Sequence, residues 1–214
     1  MRNRYTTRRA VTVLGLGLSL SLTAAACGTD DEGADTSSET STTEHNDADI
    51  AFASDMLQHH SQALVMVDLT EGRNLDPAVH QLAEQIRAAQ APEIETFTDW
   101  LLNWGEEVPE TMRDHVNGGH SDHDSGDATD SMEGMDHEMP GMMSAEDMSA
   151  LEAAPDARFE ELWLTMMIEH HTGAVEMAEA EQDNGQFQPA IDLAADITAS
   201  QTAEIETMQA LLNS

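Results

Sequence analysis

"DMLQHHSQALVM", residues 55–66, sets two adjacent histidines inside a methionine-bracketed helical pattern, and "TMMIEHHTGAVEM", residues 165–177, does nearly the same again. At about 100° per residue, Met56, His59, His60, Ala63 and Met66 fall within an arc of about 120° on one helix face. The second copy places Met167, His170, His171, Ala174 and Met177 on the matching face, with Met166 alongside. Both histidine pairs therefore face a core or its edge.

Outward from these stretches the match keeps a fixed offset of 111 residues without a gap, taking Leu82 onto Leu193, Ile86 onto Ile197, Gln90 onto Gln201 and Glu93 onto Glu204. Each copy reads as a helical hairpin. A first helix ends near Gly72, and Asp76 with Pro77 opens a second that reaches about Trp104. In the second copy a helix from about Asp156 ends near Gly185, and Pro189 lies in the first turn of the last. The hairpins span 48–104 and 156–214, and the connection 105–155 is far longer than an ordinary helix turn. The expected fold is all-α: a ferritin-like four-helix bundle made of two tandem hairpins joined by a long Met/His/Asp-rich crossover.

Ahead of the domain, Arg2, Arg4, Arg8 and Arg9 precede an apolar run and three alanines, which together read as an export signal over residues 1–26. Cys27 then reads as the lipidation site of a bacterial lipoprotein, anchored to the outer face of the cytoplasmic membrane, with simple secretion as the alternative. "TTRRAV" also leaves twin-arginine export open. The acidic stretch up to residue 47 is a flexible tether. Once the signal is removed, four arginines stand against 42 acidic residues, a formal charge of −38. Nucleic acid and anionic headgroups are repelled by such a surface; cations are favoured. With no cysteine beyond Cys27, soft ligands must come from methionine.

The second helices carry the remaining clue. Glu93 and Glu204 lie within stripes of core residues, and a carboxylate there is expensive without a partner. The two histidine pairs are the natural partners. The arrangement suits metal ligation, with His59, His60, His170 and His171 as ligands, Met56, Met66, Met167 and Met177 as soft ligands or a hydrophobic wall, and Glu93 and Glu204 as ligands or orienters. The alternative is a metal-free interaction module in which the His-Glu pairs only fix how the hairpins pack. Pro92, where the other copy has Ala203, is expected to kink its helix. The crossover offers a second, collecting arm: His115, His120, His123 and His137, with Met132, Met135, Met139, Met142, Met143 and Met148. Its glycines argue against core packing as the reason for those methionines. Thioethers prefer Cu(I), whereas imidazole and carboxylate suit Cu(II) and other divalent ions.

"MxxHHxxAxxM" twice, "QxxEI" twice and "GMMSAEDMSALEAAPDARFEELWLTMMIEHHTGAVEMA" resemble the exported bacterial family called domain of unknown function 305, over about Ala48 to Asn213. The resemblance implies a ferritin-like fold and, from some members, periplasmic copper binding associated with copper tolerance. Copper is thus the expected cofactor, as Cu(I) or Cu(II), with the metal ion and a lipid anchor as partners. A di-metal redox enzyme on the same bundle is the alternative; the absence of Glu-x-x-His from these helices argues against it.

Overall fold

The computed structural model describes residues 40–112 and 139–214, and within them the chain is all-helical. Helices α1 (Asp47–Asp68) and α2 (Pro77–Trp104) form one hairpin; α4 (Asp156–Asn184) and α5 (Gln188–Leu212) form the other. A nine-residue helix, α3 (Ala145–Ala153), precedes the second hairpin. The hairpins meet chiefly along α1 and α4.

Local chemistry sets the boundaries. Asn46 caps α1 in a reciprocal box with Asp49, and Asp76 caps α2, whose first residue is Pro77. Gly105, at φ 80°, ends α2 in the left-handed conformation that glycine adopts without a Cβ penalty. Pro92 lies inside α2, which runs on to Trp104 as one helix. At the end of α1 the Trp163 indole donates to the Met66 carbonyl at 2.8 Å, so a helix-end acceptor is satisfied from the other hairpin.

The apolar interior has two halves. In one, Ala63, Met66 and Val67 of α1 meet Val79, Leu82 and Ile86 of α2, Phe159, Trp163 and Met167 of α4, and Met208 of α5. In the other, Phe52, Met56 and Leu57 meet Phe97 and Leu101, Ala174 and Ala178, and Ala190, Ala194 and Ile197. Between the two runs the inward positions of the long helices are mainly polar: His59, His60, Ser61 and Gln62 on α1, Gln90 with the half-buried Glu93 on α2, His170 and His171 ahead of Gly173 on α4, and Gln201 with the half-buried Glu204 on α5. The helical core is cut across its middle by a polar layer.

The crossover differs from its sequence reading. Ser144 and Asp147 form a capping box that starts α3, and Met148 and Leu151, three residues apart, turn one face of it into the core. Met143 is also core, only 8% exposed. Packing therefore does explain Met143 and Met148, because Gly141 turns the chain down onto α4. Gly141 has φ 75°, and a Cβ on Gly173 of α4 would sit 2.0 Å from the Pro140 carbonyl oxygen. Glycine at 173 lets residues 139–144 lie as a strap against the helix. His115, His120, His123, Met132, Met135 and His137 of the proposed arm, and Cys27, lie outside the described residues.

Candidate metal centre

The layer assembles from two like halves and one shared pair. In the first hairpin His60 Nε2 is 2.7 Å from Glu93 Oε2; in the second His171 Nε2 is 2.7 Å from Glu204 Oε2. Both rings are fully buried, while the carboxylates keep 18% and 17% of their side-chain surface exposed. Each histidine thus reaches its own hairpin's glutamate. The other two meet across the hairpins: His59 and His170 stack with ring centroids 3.7 Å apart and planes 25° from parallel.

The strap closes this pair. Its Pro140 carbonyl is 3.1 Å from His59 Nε2, and its Gly141 carbonyl is 3.1 Å from His170 Nδ1. His170 Nε2 meets a further carbonyl, that of His59, at 3.0 Å. A neutral imidazole donates from one nitrogen only, so one of these two contacts sets a lone pair against an oxygen. Protonation would satisfy both, but complete burial and the neighbouring His171 drive the His170 pKa down to about 3. Burial, then His170 and His60, hold His59 well below its ordinary value too. We assign both rings as neutral at pH 7, because the desolvation of a charge here outweighs two carbonyl contacts.

The pairing leaves specific atoms bare. With Nε2 of His60 and His171 facing carboxylates, and that of His59 a carbonyl, the Nδ1 atoms of all three rings are buried without a hydrogen-bond partner. Both polar atoms of the Gln90 amide and Oε1 of Gln201 are likewise unpartnered. Ring nitrogens ligate metals from this state, with the opposite N–H held by a carboxylate or carbonyl. Met56 and Met167 lie one turn before His60 and His171, and both are fully buried. Met66 is buried in one core half, and Met177 is half-buried at the edge of the other. The four imidazoles do not converge on one point. Among the described residues no three His, Cys, Asp or Glu side chains gather in a geometry that could hold an ion.

Gln62 and the strap carbonyls are absent from the sequence reading of the site. The Gln62 amide donates to the Met143 carbonyl and accepts from its N–H, both at 2.8 Å. Gln62 and Gly173 share a place in the repeat, and that mismatch is the signal in the sequence that something covers the site on one side only.

A buried polar layer of paired histidines and glutamates inside an all-α domain defines a helical protein with a candidate metal centre at mid-core. The chain belongs to the DUF305 family, a domain of unknown function whose model matches residues 49–212. A DUF305 fragment from Deinococcus radiodurans is 27% identical with a TM-score of 0.62, covering 78% of this chain and 97% of that one. A candidate secreted DUF305 protein from Streptomyces coelicolor is 30% identical with a TM-score of 0.63, covering 78% and 92%. CopM, solved in a Cu(I)-bound form, is 25% identical with a TM-score of 0.57, covering 77% and 95%. CopM was also solved with Cu(II) and with silver. No curated protein matches the chain. Among the described residues no helix is long and apolar enough to cross a membrane.

Proposed function

We propose that this chain is an extracytoplasmic copper-binding protein, tethered through Cys27, that buffers or delivers Cu(I) from a ferritin-like four-helix bundle. The observation that carries the reading is the set of bare, buried Nδ1 atoms on His59, His60 and His171. A neutral ring whose other nitrogen is already committed to a carboxylate is ready to ligate without first losing a proton. Thioethers from Met56 and Met167, with Met66 and Met177 behind them, make the donor set soft, and soft donors select Cu(I). Glu93 and Glu204 orient the rings. Similarity to CopM, whose structures hold Cu(I), Cu(II) and silver, supports the same choice.

Anaerobic competition titration of the mature chain with Cu(I) tests this. His60→Gln/His171→Gln is expected to weaken binding by about 10-fold or more, the scale of a lost ligand or its support. An unchanged titration would leave the His-Glu pairs with the purely structural role that their mutual hydrogen bonds also fit.

A further inference from the structure

We infer that Met112, Met139 and Met142 form a second, surface site for a soft monovalent cation such as Cu(I) or Ag(I), outside the histidine layer. The inference rests on the copper reading only for the cation's physiological identity. Residues 105–112 leave α2, and the strap returns at Met139; the two segments meet over α1. There Met112, Met139 and Met142 line one small cavity together with Gln58, Glu110 and Thr111. Its volume is about 10 Å³, room for a single water-sized sphere.

All three methionines are half-buried. Met112 rests on the edge of the core, whereas Met139 and Met142 join neither half of it, unlike Met143 immediately beyond. Among the described residues, Met139 and Met142 thus lack the core contact by which packing usually accounts for methionine. The Met112 sulfur is held in place: Gln62 Nε2 lies 3.4 Å from Sδ, and that amide is itself clamped to Met143. Three thioethers on one cavity wall favour a soft cation. The strap that supplies Met139 and Met142 also supplies the Pro140 and Gly141 carbonyls against His59 and His170. Capture at the surface and the state of the stacked pair are thereby joined through three consecutive peptide units.

The test uses the mature chain from the lipidated Cys27, with Ag(I) as a diamagnetic probe and ¹³C-methyl labelling of methionine. At sub-stoichiometric Ag(I), the methyl signals of Met112, Met139 and Met142 are expected to move together; movement confined to other methionines overturns the site. Met112→Leu/Met139→Leu/Met142→Leu, which conserves volume, is expected to lose one Ag(I) or Cu(I) equivalent, while His60→Gln/His171→Gln keeps it. A triple variant that titrates like the parent overturns the surface site and leaves the layer standing. The reverse pattern removes the layer and leaves this site. If the triple variant fails to fold, the methyl shifts of the parent chain decide alone.

Discussion

The two hairpins agree where their polar groups satisfy each other internally and part where a third segment must be fitted. His60–Glu93 and His171–Glu204 repeat to the tenth of an ångström at 2.7 Å. Gln62 and Gly173, equivalent by the same 111-residue offset, do opposite things: one grips the strap with an amide, the other makes way for it. A single strap can lie over a twofold arrangement on one side only. The repeat therefore survives in the interior and is broken at its lid.

The largest expected effect falls on the stacked pair, where the copies meet. Folded, His59 and His170 stay neutral, whereas unfolded they take up protons below about 6.5, so stability falls as pH drops from 6.5 toward the His170 value of about 3. An opposite limb comes from Glu181, only 2% exposed. Burial first, and then the neighbouring Asp49 carboxylate, push its carboxyl up to about 9. Unfolded, this group loses its proton near 4.5, so its contribution declines as pH rises from there to about 9. Urea unfolding across pH 4 to 9 checks both limbs, and Glu181→Gln should flatten the alkaline one. A ring of His170 that titrates near 6.5 by NMR would contradict the assignment.

Next in size is the asymmetry itself. Gly173→Ala on α4 places a methyl 2.0 Å from the Pro140 oxygen and should cost about 3 kcal/mol, the upper range for overpacking, whereas Ser61→Ala, on the repeat-equivalent stretch of α1, should cost less. Equal unfolding midpoints for the two would mean that the strap is not seated. Removing a carboxylate tests the symmetric part: Glu93→Ala and Glu204→Ala should each cost about 2 kcal/mol by stranding a buried ring N–H, and by similar amounts. A clear inequality in thermal unfolding would show that the halves are not equivalent. Of similar size is Gln62→Ala, at about 2 kcal/mol, because it strands the buried Met143 N–H and carbonyl together. Hydrogen exchange at the Met143 amide should accelerate; an unaltered rate would rule out Gln62 as its clamp.

Sequence spacing was enough to place two histidines and a glutamate of each copy at the middle of the core, because helix periodicity and a gapless repeat fix which face turns inward and at what height. It also carried the family. Which histidine meets which partner was not in that pattern. His59 and His60 differ by one helical step, and only the rotation of α1 against α2 and α4 sends one ring to Glu93 and the other onto His170. Nor did composition show that Met143 and Met148 are core while Met139 and Met142 are not, since that follows from a left-handed glycine and a capping box that fold the end of the crossover back. Local pattern determines what is buried; the packing of distant segments determines which buried groups touch.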